Sequence, residues 1–190
     1  MTNELDQKLL DALDRLARGQ RVFRQEIATR HGLTPLQAQI LSTVTAGPPP
    51  AARTTALARE LDVTQPTVTD AILSLERKHL VRRHADPADG RRSVVRPTSK
   101  GRALARRLAH AERPLLDALA GLPPDSRSAG LETLLGLIAS MHRAGIITVA
   151  RTCMTCQFHE GDTGSHYCAL LDIPLETEDL RVNCPEHKPA

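Results

Sequence analysis

Aromatic side chains are almost missing from this 190-residue chain: there is no tryptophan, and Phe23, Phe158 and Tyr167 make up the whole set. That scarcity argues against a pocket walled by aromatic rings for a phenolic ligand. It argues equally against single-stranded nucleic acid, whose unpaired bases need aromatic platforms to stack on. Cysteine is absent until Cys153. No apolar run is long enough to cross a bilayer, so no membrane partner is expected. Met1-Thr2-Asn3-Glu4 leads into a charged helix and not into a leader with an apolar centre, so a cytoplasmic location with reduced thiols is expected. The usual marks of catalysis are missing too. No HExxH, Gly-rich phosphate loop or nucleophile–base pairing can be found, so an enzyme is not expected.

What the chain does have is charge sorted by region. Its formal net charge is only +3. Between Gln65 and Arg107, however, Arg77, Lys78, Arg82, Arg83, Arg91, Arg92, Arg96, Lys100, Arg102, Arg106 and Arg107 face only Asp70, Glu76, Asp86 and Asp89. Beyond Ala150 the balance reverses, with Arg151, Arg181 and Lys188 against Glu160, Asp162, Asp172, Glu176, Glu178, Asp179 and Glu186. The middle of the chain is an electrostatic footprint for a polyanion, and the end is not.

The pattern of apolar residues organises that basic middle. Residues 4–30 read as one amphipathic helix with Leu5, Leu9, Leu10, Leu13, Leu16, Val22 and Ile27 on its apolar face. Thr34-Pro35 caps a helix over 36–45, which Gly47 and the prolines 48–50 must end. A short helix over 54–61 places Leu57 and Leu61 one turn apart. Asp62-Val63-Thr64 then makes a turn, with Thr64 suited to an N-cap and Pro66 in the opening turn of a second helix. There Val68, Ala71, Ile72 and Leu75 form the buried stripe, while Gln65, Thr67, Asp70, Ser74 and Arg77 are polar. Two such helices around a tight turn make a helix-turn-helix. Residues 80–84 and 93–96 can pair as a hairpin whose tip, 86–92, has the Pro, Asp and Gly of a turn. A basic hairpin straight after the second helix is a wing.

These residues resemble the MarR family of winged-helix regulators. The family's wing pattern, roughly Asp-Pro-x-Asp-Gly-Arg before a valine-bearing strand and a Thr-x-x-Gly helix start, matches Asp86 to Arg91, Val95, and Thr98 to Gly101. The resemblance covers roughly residues 4–145. It implies a homodimer on double-stranded DNA with a palindromic operator, since two recognition helices must lie about one DNA turn (~34 Å) apart. It also implies that the first helix and two later ones form the dimer interface, and it leaves room for a small-molecule effector. Those later helices are read over 98–122, with Pro114 kinking or breaking the first of them, and over 128–144 after Pro123-Pro124-Asp125. Gln65, Thr67, Thr69, Asp70 and Ser74 are the candidates to meet base edges or phosphates. Arg91 and Arg92 reach a minor groove, or one of them pairs with Asp89 or Asp86 to shape the wing. Arg82, Arg83, Arg96 and Lys100 are expected on phosphates.

All four cysteines crowd into the end of the chain as C-x2-C-x11-C-x15-C: Cys153, Cys156, Cys168 and Cys184. In a reducing compartment such a group reads as metal ligands rather than disulfides, and so polar a segment needs a metal to fold. One close pair with two distant singles, the last followed by Pro185, resembles high-potential-type iron–sulfur domains, which implies a 4Fe-4S cluster and a redox or iron sensor. Zinc is the alternative, held by Cys153, Cys156, Cys184 and His187 and leaving Cys168 spare. His159 and His166 read as loop histidines close to the cysteines. The expected architecture is mainly α with a small β wing: a dimerisation helix over 1–30, a winged helix-turn-helix over 31–101, dimerisation helices over 102–147 and a short Cys-rich extension over 148–190.

Overall fold

The computed structural model describes residues 3–47, 52–86, 89–162 and 164–190, and for 89–92 the backbone alone. The chain divides into two compact units, Met1–Leu57 with Gln65–Glu112, and Ala58–Thr64 with Arg113–Ala190.

The first unit begins with α1 (Glu4–Arg30), capped by Asn3 and Asp6 in a reciprocal pair of backbone hydrogen bonds. Next comes α2 (Pro35–Ala46), where Thr34 and Gln37 make the same box and Pro35 sits in the first turn. The short α3 (Thr54–Glu60) begins in this unit, and α4 (Gln65–Arg77) buries Val68, Ala71, Ile72 and Leu75, the stripe its 3.6-residue period requires. The wing is an antiparallel pair, β1 (Val81–Asp86) on β2 (Asp89–Pro97), in register from Val81↔Pro97 to Ala85↔Ser93. The unit closes with α5 (Ser99–Ala111). Helix α2 packs on α1, α4, α5 and β2. Ile40, Leu41, Leu57, Val68, Ile72, Leu75, Val81, Val94 and Val95 are wholly buried there.

Two details of the wing differ from the sequence expectation. Both strands run further toward the tip, with Asp86 and Asp89 still paired. Asp86 is therefore no exposed turn residue: it is buried, and Arg53 Nε donates to its Oδ2 at 2.6 Å. Arg53 also bridges Val94 by backbone, which extends the sheet by one position. Pro87 and Ala88 fall outside the described residues, as do the side chains of Arg91 and Arg92, and with them any pairing of those arginines with Asp86 or Asp89. Removing one member of such a partly buried ion pair strands the other. Arg53→Ala is therefore expected to destabilise the protein by about 2 kcal/mol, between the exposed and fully buried cases, read as a lower urea midpoint at unchanged m-value.

The second unit holds α6 (Arg113–Ala120) and α7 (Pro124–Arg143). Pro114 does more than kink a helix. It ends α5 at Ala111 and starts α6, since its missing N–H is harmless only in a first turn. For the same reason α7 starts at Pro124, four residues before the expected Ser128. The Cys-rich end is more regular than a run of turns. After a 3-10 turn at Cys153–Thr155, β3 (His159–Asp162), β4 (Ser165–Cys168) and β5 (Ile173–Leu175) form an antiparallel sheet in the order β3-β4-β5. Gly161 holds a φ of +107, and a Cβ there would stand 2.0 Å from the Ser165 carbonyl oxygen, so the β3–β4 hairpin requires glycine. A second 3-10 turn, Thr177–Asp179, contacts α7. Among the described residues no helix is long and apolar enough to cross a membrane.

Candidate nucleic-acid interface and cysteine cavity

The polar face of α4 keeps Gln65, Thr67 and Asp70 exposed. The Thr69 hydroxyl donates to the Gln65 carbonyl at 2.9 Å, a bond back into its own helix that leaves its methyl to meet a partner. Ser74 turns the other way: its Oγ accepts from Gln37 Nε2 at 3.1 Å, which pins α4 to α2. Lys78 Nζ completes that anchor by donating to Gln37 Oε1 at 2.8 Å and to the Gly32 carbonyl at 2.7 Å. Gln37 and Lys78 thus orient the helix, a role that spacing alone could not assign.

Two cations of the wing share one face. Arg82 and Arg96 are direct cross-strand partners, both exposed. Like charges placed directly opposite each other destabilise a hairpin, so the arrangement suits a wing that meets a polyanion. Both line a cleft with His84, Lys100 and Arg102. Arg102, missing from the sequence candidates, is held in this cleft by donating to the Pro97 carbonyl at 2.7 Å. Arg83 lies on the other face of β1, its Nε 3.5 Å from Glu76 Oε2 and its backbone N–H on Glu76 Oε1, so it ties the wing to α4. The start of α5 is fixed below them. Thr98 Oγ1 donates to the His79 carbonyl and accepts from the Gly101 N–H, which brings Gly101 against Leu80.

In the second unit all four cysteines line one cavity of about 400 Å³, walled further by Phe158, Tyr167, Leu170, Leu171 and Ile173. The thiols come from three places in the sheet and its turns: Cys153 and Cys156 from the 3-10 turn and its end, Cys168 from the end of β4, and Cys184 from the last loop. None is in a disulfide. Burial pushes the Cys153 thiol above its ordinary pKa, and the Arg181 backbone N–H, donating to its Sγ at 3.2 Å, works against that. The Arg181 guanidinium also points to Cys184 Sγ, 4.0 Å away. Among the described residues no three His, Cys, Asp or Glu side chains are grouped closely enough to hold a single metal ion. His187 is outside the cavity wall, with its Nε2 3.0 Å from both the hydroxyl and the carbonyl oxygen of Thr155.

His166 is no solvated loop residue. It is buried on β4, its Nδ1 3.2 Å from His159 Nε2 and its Nε2 3.4 Å from Glu132 Oε1 on α7. Burial, and next to it His166, hold His159 below the usual histidine range. Glu132 also accepts from the Gly164 N–H at 2.8 Å, and Ser128 of α7 donates to Glu178 Oε1 at 2.6 Å. That last bond holds the Glu178 carboxyl below its ordinary value.

A sequence model of the MarR family matches residues 31–92. No curated protein matches the chain. Among solved structures it is similar to the transcriptional regulator BldR from Sulfolobus solfataricus, at 28% identity over 71% of this chain and 99% of that one, with a TM-score of 0.56. It is also similar to the transcriptional repressor CouR bound to a 23-mer DNA duplex, at 26% identity over 73% and 97% of the two chains, TM-score 0.57. The S. aureus MepR–DNA complex shares the fold at 21% identity, 68% and 95% coverage and a TM-score of 0.59. Residues 31–92 thus resemble the MarR family in sequence, and the helix-turn-helix and wing share the fold of these solved regulators.

Proposed function

We propose that the chain is a dimeric transcriptional regulator that grips duplex DNA with α4 and the wing and reads redox or iron status through its cysteines. The observation that carries the DNA part is the facing pair Arg82 and Arg96 over a cleft of further cations. CouR and MepR, seen with DNA, support it by likeness. A second copy of the chain is the natural cover for α1, whose Leu5, Leu9, Leu10 and Leu16 stay more than half exposed in one chain. Gln65, Thr67 and Asp70 meet base edges, while Arg82, Arg96, Lys100 and Arg102 fix the register on phosphates.

For the cysteines the four-thiol cavity favours a 4Fe-4S cluster held by Cys153, Cys156, Cys168 and Cys184. Four thiols lining one cavity of about 400 Å³, Cys168 among them, support this reading over a zinc site that leaves Cys168 spare. When bound, such a cluster supplies a redox centre sensitive to oxidant and to iron supply. The protein's part is to wall it with apolar side chains and to donate the Arg181 N–H to the Cys153 sulfur. The bonds of Glu132 and Ser128 join the cysteine sheet to α7, so a change of order in that sheet alters a helix of the dimer region.

Two measurements test the two parts. The double variant R82A/R96A is expected to bind a palindromic duplex more weakly for every sequence, with the slope of log affinity against log salt lowered by about two. The same variant is expected to unfold no earlier than the parent, because the like-charge pair is gone. An unchanged salt slope would remove the wing from the interface. Protein purified without oxygen should be brown and contain iron and acid-labile sulfide. A colourless protein with zinc would make the cysteines a structural staple and leave the signal to a small molecule.

A further inference from the structure

The turn of the helix-turn-helix does not cluster with the winged helix around it. Ala58–Thr64, the end of α3 and the loop that leads straight into α4 at Gln65, belongs to the same compact unit as the cysteine sheet. One ion pair makes the join explicit. Arg151 reaches Glu60 Oε2 at 2.9 Å, with both side chains mostly buried. The Arg151 Nε–H is buried without a hydrogen-bond partner inside the protein, so the Glu60 carboxylate is what offsets the desolvation of that guanidinium. Thr148, three residues earlier, lines a crevice with Ala58, Asp62, Val63 and Thr64. On its other side Arg151 is tied to the cysteines: its carbonyl accepts the Cys184 N–H at 2.9 Å, and Cys153 follows two residues on.

We infer that Glu60 and Arg151 are a positioning pair through which the state of the cysteine cavity sets the pose of the turn before the recognition helix. The path is short and local: Cys184, the Arg151 backbone, the Arg151 guanidinium, Glu60, then the chain into Gln65. A change that shifts the loop carrying Cys184 moves the Arg151 carbonyl with it. The guanidinium follows, and Glu60 must either follow or leave a half-buried cation unpaired. This route needs no movement of the dimer helices and is separate from the contacts on α7. It rests on the DNA-binding reading above, but not on which group the cysteines hold.

A double-mutant cycle on the full chain tests it, with the dissociation constant for duplex DNA measured for the parent, C184S, E60Q and the double variant. In the parent background C184S is expected to change affinity at least about fivefold, the lower end of ordinary coupling between sites. In the E60Q background the same change is expected to move it less than about twofold. The exchanged pair E60R/R151E is expected to restore the response to C184S. Equal effects of C184S in both backgrounds, or none in the parent, would overturn the inference. Amide hydrogen exchange covers the case in which a variant folds poorly or DNA does not bind. Residues 58–64 should exchange faster in R151Q and in C184S than in the parent, and unaltered protection there would overturn it as well. Iron measured on the same samples separates the two ideas, because an iron-free parent that still shows the cycle removes the cluster and leaves the pair.

Discussion

Gly101→Ala is expected to cost the protein about 3 kcal/mol, an overpacking penalty at the upper end of its usual range. A Cβ at this position would stand 2.0 Å from the Leu80 carbonyl oxygen and 3.3 Å from Leu41 Cδ1. The nearest atom is backbone, so no side-chain rotation can relieve the clash. Leu80 cannot easily retreat, because its N–H bonds the Leu75 carbonyl and its own carbonyl accepts from Thr98. Nor can α5 simply back away, since Thr98 Oγ1 holds the Gly101 N–H at 3.0 Å and bonds the His79 carbonyl at 2.8 Å. The substitution therefore has to open the junction of α4, β1 and α5, where the wing and α4 are set against each other. In a chain of this length that loss should lower the melting temperature by about 10 °C. The control is Gly136→Ala on α7, where a new Cβ meets nothing within 4 Å. It should raise stability by about 0.5–1 kcal/mol through helix propensity. If both alanines behave alike, the close approach at Leu80 is not what Gly101 is for.

The same residue shows how far the sequence could be read. Thr98-x-x-Gly101 stands out as a helix start, and the stripe Val68, Ala71, Ile72, Leu75 follows from helical period alone. Both depend on local spacing, which a sequence displays. Why the glycine is required is a matter of the Leu80 carbonyl, a tertiary contact that no period reveals. Ser74 sits on the face that reads as polar and outward, yet a partner on α2 claims it. Glu60 and Arg151 are too far apart in the chain to suggest each other. Strands of three or four residues in the cysteine end carry too little alternation to register, so His166 reads as a loop residue until the pairing of β4 with β3 and β5 buries it.

For the cysteines the decisive expected result is a contrast between Cys168→Ser and His187→Ala. The cluster reading needs Cys168, and the zinc reading leaves it spare and needs His187. Cys168 lines the cavity with the other three thiols. Its position is rigid, since it pairs with His159 across the sheet and its carbonyl accepts the N–H groups of Leu171 and Asp172. Serine there keeps the backbone and removes one thiolate of four. The variant should retain less than about a tenth of the iron of the parent, the kind of loss that follows even changes in the surrounding shell of a metal site. On the cluster reading its visible absorption should vanish, and because metal binding would then supply folding energy, residues 150–190 should become open to protease. His187→Ala should keep iron and colour. Its ring nitrogen is already engaged by Thr155, so what it loses is the tie between the 3-10 turn and the last loop, read as a modest fall in melting temperature. The reverse pattern, full metal in the serine variant and none in the alanine one, would assign the site to Cys153, Cys156, Cys184 and His187. The four-thiol cavity would then be a consequence of packing around a knuckle, with Cys168 a half-buried thiol free for other chemistry.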